Sequence, residues 1–244
     1  MEAKGKLWVV LDTKKEKSLE IVRKIGGVSK LPVVRGVKLN RSIDQEMFRK
    51  DGETRLLNEI NGLSLDAWVD LKLMDVPRTV AGRIEPYAES GLVKYITVMA
   101  KGEVDMMMDA VAAAGSQINI IAVTELTSLT EEMVHLGSGQ PSKASVLYLA
   151  RLAKLAGVEY LVCSGQELPA IKKRRELAIL KSFVPGVNPS FASAGSDQSR
   201  TMTIVDALRQ GADAVVVGGA IVNAPGPVEV IKRIADEIEA ATEK

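Results

Sequence analysis

The chain has 244 residues, of which 46% are hydrophobic and 26% charged, and its formal net charge is +1. That composition is ordinary for a soluble globular protein, and the near-neutral charge gives no electrostatic signal for a nucleic acid or an anionic membrane. One cysteine, Cys163, and one histidine, His135, exclude an internal disulfide, a cysteine-based metal site and a histidine-rich zinc site, and argue against a Ser-His-Asp triad.

The opening "MEAKGKLWVVLD" enters a strand-like run at once, without the uninterrupted apolar segment of a signal peptide. No stretch approaches the ~18–20 apolar residues of a membrane span. With a lone cysteine, which fits a reducing compartment, a cytoplasmic protein is expected. Short apolar runs then alternate with amphipathic ones. Strands are predicted over 7–12, 33–39, 67–73, 95–100, 118–126, 160–165, 179–186 and 214–219. Helical patterns fill the gaps. "SLEIVRKIGG" ends in glycines, a C-cap signal, and "SIDQEMFRKDGETRLLNEING" opens with Ser42 and Gln45 at capping-box spacing. In "VDMMMDAVAAAG" the methionines 106–108 read as helix packing. Leu149, Leu152, Ala153 and Ala156 share one face of "ASVLYLARLAKLAG". His135, near a helix end or loop, reads as a surface side chain. "PVEVIKRIADEIEAATEK" closes the chain as an amphipathic helix.

Eight strand–helix units without a composition break imply a parallel sheet covered by helices. Their number points to an α/β fold of the closed (β/α)₈ (TIM) barrel type, one domain over 1–244. A doubly wound open sheet is the alternative.

Barrel chemistry belongs at the C-terminal ends of the strands, and several charges fall there in phase. Asp12 follows Trp8 and Val10. Lys38 is in phase with Gly36 and Asn40. In "WVDLKLMDVP", Val69, Leu71 and Leu73 alternate with Asp70 and Lys72, and Asp75 comes just past the strand. An inward ion-pair network with only a packing role is one reading. Burying several charges is costly, however, and apolar replacement is often neutral or better, so a functional site is the stronger reading. A lysine between carboxylates stays protonated and is a proton donor. A carboxylate beside a substrate favours loss of negative charge there, so the array suits a reaction that makes and protonates a carbanion. A phosphate site is suggested by the Gly/Ser/Pro-rich "VPGVNPSFASAGSDQSR" (184–200) and by Gly218 and Gly219 after the last strand, where barrels commonly bind phosphate.

These residues give the chain a resemblance, over nearly its full length, to the orotidine 5′-phosphate decarboxylase family. It rests on "LD" at Asp12, "VKLN" at Lys38, the Asp-x-Lys-x-x-Asp of "DLKLMDVP", and "VTELT", "AKLAGVEYLVCSGQE", "VPGV", "GSDQSR" and "GADAVVVG". The resemblance implies Lys72 as the acid that protonates C6 of the pyrimidine and Asp70 as the carboxylate facing the leaving CO₂. Lys38 and Asp75 complete the network, Asp75 crossing from a partner subunit. Asp12 and the partner's Thr79 resemble ribose contacts. Thr127 resembles a residue near the pyrimidine edge, Gln198 a phosphate contact, and 185–198, beginning at Pro185 and Gly186, a closing loop. It implies orotidine 5′-phosphate or a UMP-like nucleotide as ligand and a homodimer with shared sites, and neither metal nor cofactor. Three positions depart. Gly219 stands where the family has a phosphate-gripping arginine, Asn188 where bacterial relatives place another, and Met99 where a histidine is usual. Two alternatives stay open: a Mg²⁺-dependent sugar-phosphate aldolase or decarboxylase of the same barrel type, related to hexulose-phosphate synthase, and a barrel with weakened catalysis that binds a nucleotide.

Overall fold

The computed structural model describes residues 2–26, 31–43, 55–192 and 202–243. The elements run β1 (Leu7–Leu11), α1 (Lys15–Ile25), β2 (Val34–Leu39), α2 (Arg55–Gly62), β3 (Asp66–Leu73), α3 (Pro77–Ser90), β4 (Tyr95–Met99), α4 (Glu103–Ala114), β5 (Asn119–Val123), α5 (Glu131–Ser138), α6 (Ser142–Leu155), β6 (Tyr160–Val162), α7 (Leu168–Lys172), β7 (Lys181–Pro185), β8 (Val187–Asn188), β9 (Met202–Thr203), α8 (Ile204–Arg209), β10 (Ala214–Val217), α9 (Gly219–Val222) and α10 (Pro227–Thr242). Eight of the strands close in the order β1-β10-β7-β6-β5-β4-β3-β2, every neighbouring pair parallel. The expected barrel is therefore found, and the open sheet is ruled out by the β1–β10 pairing.

Strand alternation builds two cores. Val9, Val37, Val69 and Ile96 face outward and pack with helix residues such as Ile21, Val22 and Ile84. Each such side chain contributes roughly 1.5–3 kcal/mol when fully buried. The alternate positions fill the barrel with Trp8, Trp68, Tyr95 and Phe183. Trp8 meets Trp68 edge-on at 5.4 Å and Tyr95 at 5.1 Å, geometries the aromatic quadrupole favours. This aromatic plug closes the barrel beneath the charged residues. Gly36 in β2 lies so close to β3 that a Cβ would strike the Asp66 backbone carbonyl.

The helices follow local signals in most places. Thr130 caps α5 by accepting from the Met133 N–H, and Thr203 caps α8 by accepting from the Asp206 N–H. Leu149, Leu152, Ala153 and Ala156 are all buried, as their spacing requires, and Met106 and Met107 pack inward while Met108 is exposed. Gly26 departs from the expected left-handed cap, because its backbone stays right-handed (φ −51°). Gln45 of the expected capping box lies outside the described residues. Most of the predicted strands run long at their C-terminal ends, though 33–39 and 67–73 stop where the observed strands do: 118–126 is strand only over Asn119–Val123. Residues beyond the ladder turn to line the barrel mouth, and Thr124 Oγ1 donates to the Val162 carbonyl there.

The regular alternation expected across "WVDLKL" is broken. Val69 pairs with Ile96 and Leu73 with Val98, so four steps along β3 match two along β4. The extra residues form a bulge, with Lys72 in the left-handed region at φ 51°. For a lysine this conformation is uncommon and costs on the order of 1–3 kcal/mol.

Candidate active site

The bulge organises the site. The Lys72 N–H leaves the ladder and donates to Thr97 Oγ1 at 2.9 Å, and that hydroxyl donates to Asp70 Oδ1 at 2.9 Å. Asp70 Oδ2 accepts from Lys72 Nζ at 2.8 Å and also from Lys38 Nζ. The Asn40 amide donates to the Asp70 backbone carbonyl at 2.5 Å. Asp70 is only 3% exposed. Burial pushes its carboxyl up, but the ammonium groups of Lys38 and Lys72 outweigh that and hold it below the usual carboxylate value. Lys38 Nζ also sits 5.6 Å from the Trp68 ring centroid, so the top of the aromatic plug steadies the same cation.

Above this array opens a cavity of about 860 Å³, lined by Asp12, Lys38, Asp70, Lys72, Thr127, Pro185, Gly186, Gly218 and Gly219, with Asn40, Asn188 and Asn223 among their neighbours. Nine of the residues singled out in the sequence thus meet at one mouth. A smaller recess of about 120 Å³ descends between Lys38, Asp70, Lys72, Thr127 and Trp68. Neither Asp75 nor Thr79 lines these spaces. Both are exposed, and Asp75 Oδ1 accepts from the Val76 N–H at 2.7 Å. Gln198 lies outside the described residues, as does Arg200. The loop wall up to Ala192 is tied to α10: the Ser190 N–H donates to the Glu237 carboxylate, and the Arg233 guanidinium lies 3.7 Å from the centre of the Phe191 ring.

Thr97 was not singled out in the sequence, although a lone hydroxyl in the apolar run "YITVMA" is a usable signal. Glu125 was also missed, because nothing local marks its partners Lys101 and Ser145. His135 is exposed and lines neither space, and burial pushes the Cys163 thiol, which also lines neither, up to about 12, so neither supplies a base or nucleophile at the mouth. Among the described residues no group of three or more His, Cys, Asp or Glu is placed to hold a metal ion.

The charge pairing makes a stability prediction. Because Asp70 titrates lower in the folded chain, its contribution is present above the ordinary aspartate value of about 3.9. It is lost as pH falls through the lower folded value. Asp70→Asn leaves Lys38 and Lys72 without their shared anion. Breaking a buried pair costs about 3–5 kcal/mol; the Lys72 side chain is one-third exposed, which lowers the expectation to about 1–3 kcal/mol at pH 7. Urea unfolding of both proteins should show that gap at pH 7 and its narrowing as pH falls below the ordinary aspartate value. A gap independent of pH would mean that charge is not its cause.

A closed parallel barrel with a buried aspartate held between two lysines beneath an open mouth at its strand C-termini defines a barrel enzyme whose site is built for an anionic substrate. Residues 6–234 match the family described as orotidine 5′-phosphate decarboxylase / HUMPS. The chain belongs to that family. The orotidine 5′-phosphate decarboxylase of Anaeromyxobacter dehalogenans is 38% identical over 78% of this chain and 82% of its own. The enzyme of the same name from Pseudoalteromonas translucida is 38% identical over 81% and 85%. Among solved structures, that of orotidine 5′-phosphate decarboxylase from Lactobacillus acidophilus has a TM-score of 0.75 at 24% identity, covering 99% of this chain and 100% of that one. An uncharacterized conserved protein from Geobacillus kaustophilus has a TM-score of 0.75 at 26% identity, covering 95% and 99%.

Proposed function

We propose that this chain is a carboxy-lyase that converts orotidine 5′-phosphate to uridine 5′-phosphate in pyrimidine biosynthesis. The observation that carries the reading is the ionised, buried Asp70 held between Lys38 and Lys72 at the barrel mouth. A substrate carboxylate brought beside Asp70 meets like charge, which favours its departure as CO₂. The bond from C6 to the carboxylate breaks and its electron pair stays on C6. Lys72 Nζ then gives C6 a proton and regains one from solvent. Lys38 keeps Asp70 ionised through both steps. No metal or cofactor takes part in these steps.

Asp12 holds the ribose, Thr127 faces the pyrimidine edge, and Pro185, Gly186, Gln198, Gly218 and Gly219 receive the phosphate. Asp75 and Thr79 serve the neighbouring site of a homodimer. Their position outside their own chain's cavity supports this, as does their segment, where Met74 is 58% and Val76 62% exposed. One barrel domain carries the whole activity, and the protein works in the cytoplasm without nucleic acid or membrane. No helix among the described residues is long and apolar enough to cross a membrane. Incubation with orotidine 5′-phosphate should yield uridine 5′-phosphate and CO₂ in equal amounts; substrate consumed without CO₂ would overturn the proposal.

The phosphate end is where this chain departs from its family, and it can be tested separately. Gly219 is exposed, and a Cβ added there would meet only Asn223 Nδ2, at 3.6 Å. The space for a side chain is open, so Gly219→Arg should add a guanidinium able to grip phosphate through two hydrogen bonds. A gain of about 2–4 kcal/mol corresponds to roughly 30- to 1,000-fold in kcat/KM, and the lower end is expected because Gly219 is exposed and water competes for the guanidinium there. A folded Gly219→Arg protein with unchanged kcat/KM would place the phosphate elsewhere or assign its grip to another base. Arg200, at the end of the 184–200 segment, is the candidate for that other base, and repeating the comparison in an Arg200→Ala background separates those outcomes.

A further inference from the structure

Glu125 lies two residues beyond β5 and is 3% exposed. Its Oε1 accepts from Ser145 Oγ on α6 at 2.6 Å, and its Oε2 lies 2.8 Å from Lys101 Nζ. Lys101 belongs to the 3₁₀ turn Ala100–Gly102 that follows β4. One carboxylate therefore ties together the segments after β4 and β5 and the helix α6. Burying a carboxylate to pair it with a lysine is a poor device for stability alone, since apolar side chains of similar volume serve as well or better. It does fix geometry, and the geometry here belongs to the site. Glu125, Leu126 and Thr127 are consecutive in the wall of the smaller recess, opposite Lys38, Asp70 and Lys72. The glycines Gly186, Gly218 and Gly219 line the outer cavity and not this recess. Apart from Pro185, which lines both spaces, the recess is thus set away from the phosphate turns, and its other walls are the apolar Trp68, Val123, Val162 and Val216, suited to a flat heterocycle.

We propose that Glu125, clamped by Lys101 and Ser145, is a positioning residue that holds the Leu126–Thr127 wall in register with the base of the nucleotide and thereby sets recognition of the base independently of the phosphate. The inference rests on the decarboxylase reading above. With both carboxylate oxygens already engaged, Glu125 acts through the wall and not by touching substrate. Loss of the clamp lets the wall shift, and a shift of the wall is felt by ligands that reach it.

The test compares the wild type with Lys101→Met, Lys101→Arg and Glu125→Gln. Calorimetry gives dissociation constants for uridine 5′-phosphate and for ribose 5-phosphate, which lacks the base, and turnover of orotidine 5′-phosphate gives kcat and KM. Lys101→Met and Glu125→Gln should each weaken uridine 5′-phosphate about tenfold or more and leave ribose 5-phosphate unchanged. KM should rise by more than kcat falls, the double variant should be no worse than the weaker single variant, and Lys101→Arg should restore most of the affinity. Lys101 is partly exposed, so Lys101→Met remains informative if Glu125→Gln fails to fold. Equal weakening of both ligands, or unchanged uridine 5′-phosphate affinity with a lowered Tm, would make the pair purely structural. Failure of the wild type itself to prefer uridine 5′-phosphate over ribose 5-phosphate would instead overturn the decarboxylase reading.

Discussion

Lys72→Ala is expected to abolish decarboxylation while the barrel stays folded. Proton transfer by a positioned side chain contributes about 10²–10⁴-fold, and this lysine has a second duty, since its ammonium shares Asp70 Oδ2 with Lys38. The loss should therefore reach or exceed the upper end of that range. The fold should tolerate the change. Lys72 already occupies a left-handed backbone position at φ 51°, which alanine dislikes no more than lysine does. The N–H bond to Thr97 Oγ1 is a backbone bond and survives substitution. Lys72→Met, which keeps the aliphatic stem, should be equally inactive. The measurement is kcat for orotidine 5′-phosphate with circular dichroism as the folding control, and a variant with near-wild-type kcat would remove Lys72 from the mechanism.

The second large effect is a recovery of activity. Asp75 is exposed and turned to its own chain's Val76 N–H, outside the cavity it is proposed to serve. If it enters the neighbouring site, every site of a two-fold dimer draws on two chains. Lys72→Ala and Asp75→Ala should each be nearly inactive. A mixed dimer would carry one site with both substitutions and one with neither. Unfolding the two variants, mixing them equally and refolding should give about half mixed dimers and thus about a quarter of wild-type activity. No recovery, with mixed dimers demonstrated by mass, would confine each site to one chain. Exposed Met74 and Val76 flanking Asp75 are the apolar surface such an interface would cover.

The barrel was legible because its strands announce themselves locally. Runs such as "LWVVL" and "AVVV" are apolar on both faces, as parallel strands covered by helices and filled inside must be. Asp12, Lys38 and Asp70 were legible for the same reason, as charges at the downstream ends of such runs. What depends on distant partners was not. The β3 bulge arises where β3 must match β4, and no local pattern in "DLKL" records that mismatch. The short β8–β9 pair joins Val187 and Asn188 to Met202 and Thr203, residues well separated in the sequence. The clamp on Glu125 draws on two successive strand–helix units, from Lys101 after β4 to Ser145 on α6, and "VTELT" alone shows one acid among polar neighbours. Asp75 and Thr79 were legible only through family resemblance, because their proposed role is played in a chain other than their own.

The central claim is cofactor-free decarboxylation at the Lys38–Asp70–Lys72 array, and the most direct measurement is the ultraviolet absorbance of orotidine 5′-phosphate followed with purified protein in the presence of EDTA and, separately, of added Mg²⁺. Saturable loss of the substrate absorbance at the same rate in both conditions, with uridine 5′-phosphate as product, is the expected result. Absence of turnover in both, or turnover abolished by EDTA and restored by Mg²⁺, would contradict it, and the second outcome would move the chain to the metal-dependent sugar-phosphate chemistry of the same barrel type.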